Sequence, residues 1–363
     1  MIRILKILLI TLLSVIVLFG LIVIRLFAIK IYDSIVQQQH MKKLEAMYSD
    51  NYQAIDESEF INFDRFDETI KLNEIQILAS HNSYKKEGSG LGKLFVGLGD
   101  SFAEAKALRY GYKNITDQLE LGIRSMEFDL RKRKDSFVLT HVPLVDNSSV
   151  APNFSMALDE IKLYSSHNET HIPIIILLEI KDDWMILDHA LQKIESDELI
   201  MLNQLLEEKL GDTLYRPSDL MQEGLSIRET IETYGWPSVS SLLGKVLFVI
   251  HPDNFNESYL SLDPTLEDLP MFIGSYEDDL EYDYASFVVH NDVDVDRITE
   301  LVDQGYIVRT RIDEQLIFDQ KRYHDAILSG AQLLTSDFTK GRKDLKVSQT
   351  ITLDPYMIIK RES

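Results

Sequence analysis

From residue 71 onward, short apolar runs alternate with stretches of helical period. The runs fall at 77–80, 125–130, 174–180, 246–250, 271–275, 287–290, 306–310 and 333–336, with a further short one at 137–140. Between them, residues 154–164 set Phe154, Ala157, Leu158, Ile161 and Leu163 close to a 3.6-residue period. A second helical pattern at 199–210 stops at Gly211, and shorter ones at 298–302 and 323–328 are followed by Gly305 and Gly330. Such alternation predicts crossover units and a parallel sheet. Eight runs in 71–345 match a (β/α)8 TIM-type barrel, which takes about 250 residues. The fold class expected is therefore α/β, a (β/α)8 barrel with some distortion allowed.

Before the barrel the pattern changes twice. Arg3 and Lys6 precede an uncharged run over residues 7–24, which ends at Arg25. That run is near the roughly 20 residues of a spanning helix and longer than the apolar core of a signal peptide, about 7–15 residues. Residues 1–30 are thus predicted to form a transmembrane anchor, single-pass, with the catalytic unit outside the cytoplasm. A cleaved segment would instead make the protein secreted. Residues 31–70 are polar and mixed in charge, either a partly helical stalk or a helix packed on the outside of the barrel. Residues 346–363 read as a C-terminal tail.

Composition narrows the partners. A net charge of −22 argues against a nucleic-acid binder, which carries a basic surface. It also argues against charge-driven attraction to an anionic membrane. There is no cysteine, so disulfides and thiolate metal sites are excluded.

Polar groups that carry chemistry stand at the ends of the apolar runs. His81 and Asn82 follow the first, Glu127 and Asp129 share one face of the second, His141 follows the short extra run, and Glu179 and Lys181 share a face of the third. Parallel strands whose C-terminal ends converge bring such groups to one mouth. Carboxylates on one inner face need positive charge beside them. A divalent cation satisfies that need, and so does pairing with Arg124, Arg131 or Lys181. With the amide oxygen of Asn82, Glu127, Asp129 and Glu179 form the all-oxygen set that suits Ca2+, and less so Mg2+. His81 and His141 are the acid–base candidates, since histidine titrates near neutrality.

Ala79-Ser80-His81-Asn82-Ser83-Tyr84, Leu121-Gly122-Ile123-Arg124-Ser125-Met126-Glu127-Phe128-Asp129, Thr140-His141 and Leu178-Glu179-Ile180-Lys181 resemble, in order, the catalytic X region of phosphatidylinositol-specific phospholipases C. The likeness is to the calcium-dependent bacterial and fungal branch. Tyr306-Ile307-Val308-Arg309-Thr310-Arg311 and Gly330-Ala331-Gln332-Leu333-Leu334-Thr335-Ser336-Asp337 resemble its later strands. The resemblance implies a phosphoric diester hydrolase that cleaves a phosphoinositide to diacylglycerol and an inositol phosphate. It implies that His81 hydrogen-bonds the phosphoryl oxygens and that Asn82, Glu127, Asp129 and Glu179 hold Ca2+. His141 becomes the general acid for the diacylglycerol oxygen, and the inositol 2-hydroxyl attacks, its proton taken by Glu127 or Glu179. Lys181 and Arg309 hold phosphate or inositol hydroxyls, although a salt-bridge role for Arg309 is equally open.

Two other readings share these residues. A glycerophosphodiester phosphodiesterase on the same barrel is expected to show His-Arg-Gly where this chain has His81-Asn82-Ser83. A non-catalytic phospholipase-like binding protein has no need of both imidazoles and all three acids. Other motifs fail. Gly88-Ser89-Gly90-Leu91-Gly92-Lys93 lacks the Ser or Thr and the spacing of a P-loop. Asp292, Asp294 and Asp296 begin like a calcium loop but have Arg297 at the glycine position, and are expected to cap the helix at Ile298. Residues 88–102, with Leu91, Leu94, Phe95, Val96 and Leu98 among glycines, form either a lid on the barrel or a segment that enters the bilayer.

Overall fold

The computed structural model describes residues 2–252 and 255–361. Eight parallel strands form the barrel: β1 (Ile75–Ser80), β2 (Ser125–Arg133), β3 (Ile174–Ile180), β4 (Val246–Ile250), β5 (Phe272–Ser275), β6 (Phe287–Val289), β7 (Ile307–Arg311) and β8 (Leu333–Ser336). Each pairs with the next in the chain, and β8 returns to β1 in register Ile77↔Leu333 to Ser80↔Ser336. Closure at β1–β2 rests on Ser80↔Met126 alone, so the barrel is distorted at that seam. The strands are rich in Ile, Leu, Val and Phe because both faces are covered, as in other all-parallel sheets.

Two antiparallel strands extend the sheet. Ser136–Leu139 folds back along β2, with Leu130 opposite Leu139. Ile358–Lys360 pairs with the start of β1, so the segment expected to be a tail adds an edge strand to the barrel. The helical periods at 154–164, 199–210, 298–302 and 323–328 lie within Phe154–His167, Ser196–Leu210, Val295–Asp303 and Gln320–Leu328. Asp294 caps the third of these, accepting from the Arg297 amide at 3.1 Å.

Helix α1 (Ile2–Ser49) runs through both N-terminal segments without a break. Its first part is apolar and fully exposed, with Leu5 and Leu9 at 69% and 63%. From Leu26 onward it packs on the body. Gln37 exchanges two hydrogen bonds with the Asn153 backbone, His40 meets Glu160 at 2.9 Å, and Met41, Leu44 and Tyr48 form a small core with Met156 and Leu163. The polar positions of residues 31–49 are therefore the partners of a docked helix, the second of the two readings. Next come α2 (Gly90–Gly99), α3 (Phe102–Ala107), α4 (Ile115–Leu119) and α5, the Phe154–His167 helix already described.

Beneath the barrel, Arg124 is completely buried and its guanidinium pairs with Glu57. It also donates to the carbonyls of Leu119 (2.6 Å) and Ile123 (2.9 Å) and to the Tyr164 hydroxyl (2.9 Å). Removing one partner of such a pair strands a buried charge. Arg124→Met is expected to lower the free energy of unfolding by about 3–5 kcal/mol, and Arg124→Met with Glu57→Met to recover part of it. Denaturant titration measures both, and a double variant no better than the single one would refute the pairing argument.

Candidate active site

The polar strand ends meet at one mouth, at the C-terminal end of the barrel. His81 follows β1 directly, and the turn there puts Asn82 in the left-handed region at φ 49°. Left-handed backbone in a non-glycine residue is strained and persists only where the surroundings hold it. Here Asn82 is held by its amide nitrogen, which donates to the Tyr110 hydroxyl at 3.0 Å. Its Oδ1 is buried and accepts no hydrogen bond.

Glu127 and Asp129 on β2 and Glu179 on β3 point inward, and one carboxylate oxygen from each lies within 4.8 Å of the others. Charge around them is arranged asymmetrically. Glu127 accepts from Arg309 Nη2 at 2.6 Å and lies 3.4 Å from His81 Nε2. Burial pushes its carboxyl up, but His81 and Arg309 outweigh that and hold it at about 2. Asp129 and Glu179 share one ammonium, Lys181 Nζ, at 2.8 and 3.0 Å. Burial and then the adjacent Asp129 push the Glu179 carboxyl up to about 8, against the pull of Lys181. Both Asp129 oxygens are buried and accept no hydrogen bond of correct geometry.

These features test the set as a cation site. The buried Oδ1 atoms of Asn82 and Asp129 have no hydrogen-bond donor, and the Asp129 and Glu179 carboxyls share the Lys181 ammonium. A hard divalent cation takes oxygen ligands of this kind. The residues fit Ca2+.

Each imidazole is fixed by a carboxylate on Nδ1. Asp337, just past β8, accepts from His81 at 2.9 Å and pairs with Arg311 at 3.1 Å. Asp146 accepts from His141 at 2.9 Å. Burial raises Asp146, while Lys85 (3.4 Å) and then His141 more than reverse this, so it stays ionised below the usual carboxylate range. A carboxylate on Nδ1 sets the tautomer and leaves Nε2 for chemistry. His141 is placed by the strand that folds back on β2, where the Thr140 amide donates to the Asp129 carbonyl at 3.3 Å. Lys85 in turn lies 4.1 Å from the centre of the Tyr110 ring, and Tyr110 stacks on His81 at 6.3 Å, which joins the two imidazole systems through buried groups.

All eight residues singled out in the sequence stand at this mouth, but the two cations differ. Lys181 is partly exposed, with 17% of its side chain accessible, whereas Arg309 is 6% accessible with every nitrogen committed, to Thr335, Asn291 and Glu127. Of the two roles open for Arg309, the geometry matches the salt bridge. Arg311, two residues on, has 18% of its side chain accessible and lies 3.5 Å from both His81 ring nitrogens. Sequence reasoning missed Arg311, Asp337, Asp146 and Tyr110 as site residues. Asp337 and Arg311 sit in quoted strand ends and were findable by the same rule. Asp146 and Tyr110 lie in loops with no periodic signal. A cavity of about 580 Å³ lined by Met221, Leu225, Pro264 and Tyr284 lies at the other end of the barrel and holds none of these groups.

A family model described as phosphoinositide phospholipase C, Ca2+-dependent, matches residues 70–136 and 131–361. Among solved structures, the fold is similar to a Ca2+-dependent phosphatidylinositol-specific phospholipase C from Streptomyces antibioticus, at 18% identity and TM-score 0.56, covering 74% of this chain and 95% of that one. It is also similar to a calcium-dependent phosphoinositol-specific phospholipase C from a Gram-negative bacterium, Pseudomonas sp, at 16% identity and TM-score 0.57, covering 84% and 99%. No curated protein matches.

The raised carboxyl of Glu179 has a pH signature. Its folded value of about 8 exceeds the unfolded value, so between the two the folded chain holds a proton that the unfolded chain lacks. The contribution of Glu179 to the stability of the metal-free protein is therefore fully present below about pH 4, the unfolded carboxyl range, and is lost as pH rises toward 8. In chelator, the melting temperature is expected to fall from pH 5.5 to 8, and Glu179→Gln to remove part of that fall. An identical fall in the variant would rule out carboxylate crowding.

Proposed function

The chain belongs to the Ca2+-dependent phosphoinositide phospholipase C family, and from that premise we propose that it cleaves the phosphodiester of a phosphatidylinositol-type lipid, releasing diacylglycerol. One observation carries this reading: two imidazoles, each held through Nδ1 by a buried carboxylate, flank a three-carboxylate cluster at one mouth. Phosphodiester cleavage with an internal hydroxyl as nucleophile needs a donor on the phosphoryl oxygens, an acid at the leaving oxygen and a base at the attacking one. On this reading His81, His141 and the carboxylates supply all three.

Asn82, Glu127, Asp129 and Glu179 are the residues proposed to hold Ca2+. When bound, the ion supplies positive charge for the phosphoryl oxygens and acidifies a neighbouring hydroxyl. His81 donates from Nε2 to a phosphoryl oxygen, with Arg311 adding charge beside it. The inositol 2-hydroxyl attacks phosphorus and gives its proton to Glu127 or Glu179. His141 delivers a proton from Nε2 to the diacylglycerol oxygen as the P–O bond breaks, and Asp146 orients the ring through Nδ1. Lys181 and Arg311 are assigned to substrate oxygens, and Arg309 to orienting Glu127. The exposed apolar part of α1 is read as a membrane anchor.

The full-length protein is expected to hydrolyse a soluble inositol phosphodiester with calcium and to stop in chelator. Asp129→Asn is expected to lose calcium binding by titration calorimetry. His141→Ala should slow turnover by about 10²–10⁴-fold on an alkyl-leaving substrate. That loss should shrink on a nitrophenyl substrate, whose leaving group needs no proton. An equal loss on both would exclude His141 as the acid, and calcium-independent turnover would exclude the proposed site. Cleavage of glycerophosphodiesters in preference to inositol esters would favour the alternative enzyme.

A further inference from the structure

Helix α1 does more than tie the barrel to a surface, because its direction along the barrel is fixed. In a β/α unit the helix runs back against its strand, so α5 starts at the mouth end and finishes at the far end. Helix α1 follows α5 the same way: Gln37 binds Asn153, just before α5, and Tyr48 stacks on His167, its last residue, at 4.3 Å. Traced backward from Gln37, α1 therefore rises to the rim of the mouth. There Asp33, 1% exposed, accepts from Lys86 Nζ at 2.6 Å and from the Ser149 amide at 3.2 Å. Lys30 reaches Asp188 at 3.3 Å, and the Leu26 carbonyl accepts from Asn147 at 3.1 Å. Lys86, Asn147, Ser149 and Asp188 all belong to loops of the mouth face.

Beyond Leu26 the helix continues, without a break, away from the mouth. The apolar run 7–24 is about 27 Å long at ~1.5 Å per residue, close to the roughly 30 Å hydrocarbon core of a bilayer. It ends at Ile24, two residues before the first buried contact with the body. No flexible connection separates the span from the catalytic unit, so the boundary of the lipid lies at the rim.

Helix α2 gives a second, independent observation. Phe95 on α2 packs edge to face on Phe19 of α1, ring centres 6.1 Å apart. Phe19 lies five residues inside the end of the apolar run, a depth of about 7 Å, and interfacial helices sink about 5–10 Å. Leu94, Leu98 and Phe102 beside it are exposed at 47%, 68% and 65%. Other rim loops add exposed Trp184, Ile186 and Ile317. The Gln315 amide donates to Glu104 at 3.4 Å, joining the loop of Ile317 to α3.

We propose that α1 is a rigid strut that holds the mouth of the barrel against the bilayer it spans, with α2 lying in the outer layer of lipid, so that the substrate comes from the protein's own membrane. The orientation stands on packing alone; only the identity of the substrate rests on the phospholipase reading.

The chain has no cysteine, so one introduced thiol can be labelled cleanly. Leu98→Cys, Ile186→Cys and Leu328→Cys proteins, the last at the far end of the barrel, are labelled with a fluorophore and reconstituted full-length in phosphatidylcholine vesicles containing brominated lipid and phosphatidylinositol. Quenching is expected at 98 and 186 and not at 328. Equal quenching at all three sites, or none at 98, overturns the proposal. In the Leu98→Cys background, Asp33→Ala with Gln37→Ala breaks the docking and leaves the span. That protein is expected to stay with the vesicles, lose at least half of the quenching and cleave vesicle lipid about tenfold more slowly, with turnover of a soluble diester unchanged. Undiminished quenching would show that α2 enters lipid without the strut and overturns it. A wild type inactive on both substrates would sink the phospholipase reading while the quenching pattern still decides the orientation.

Discussion

Three carboxylates, two buried and one partly buried, with an oxygen of each within 4.8 Å of the others, set the terms for the rest of this mouth. Like charges at that range in a low dielectric cannot all ionise without positive charge nearby. The protein meets the demand in two halves. Glu127 is matched by Arg309 and His81 and stays ionised. Among the described residues Asp129 and Glu179 share the Lys181 ammonium, and the Glu179 carboxyl, pushed up to about 8 by burial and then Asp129, is where one more positive charge would be accommodated. Arg309 is buried for the same reason: it must follow Glu127 into the barrel, and Thr335 and Asn291 take up its remaining donors.

The barrel was legible in the sequence because its signal is repeated. Apolar runs of strand length, each followed by a turn and a helical period, leave little choice of architecture, and 174–180, 246–250 and 333–336 coincide with β3, β4 and β8. The acids and imidazoles were legible because they interrupt those runs at their ends. What escaped is supplied by loops. Asp146 reaches His141 through a turn closed by its own amide on the Val142 carbonyl at 3.0 Å, and Tyr110 reaches His81 from the segment after α3. Neither has a period, and their roles depend on which loops fold over the mouth. The run at 358–360 is too short to announce a strand and becomes one because β1 offers an unpaired edge.

The two imidazoles share a design with different surroundings. His81 sits between Asp337 and Glu127 with Arg311 against its face, an arrangement that holds a donor among charges. His141 has Asp146 alone at its inner nitrogen, and Asp146 is kept ionised by Lys85, a lysine with no exposure at all. A buried lysine is costly unless a carboxylate and hydrogen-bond acceptors meet it. Here the carbonyls of Leu108 (2.8 Å) and Tyr110 (3.4 Å) do so. The same Lys85 lies over the Tyr110 ring that stacks on His81, so the proposed donor and the proposed acid are braced by one buried cation.

Net charge gives the proposed anchor a structural role. At −22, the protein is repelled by an anionic surface, and the repulsion acts over roughly 8–10 Å at physiological salt. A tether alone would leave the barrel free to turn its mouth away, since electrostatics favours distance. A continuous helix docked through Asp33, Gln37 and His40 removes that freedom, because turning the barrel would break buried hydrogen bonds as well as tilt the span. The polar residues of 31–49, part of the stretch 31–70 that read as a stalk, are, on this account, the means by which an acidic enzyme is kept facing the lipid it would otherwise avoid.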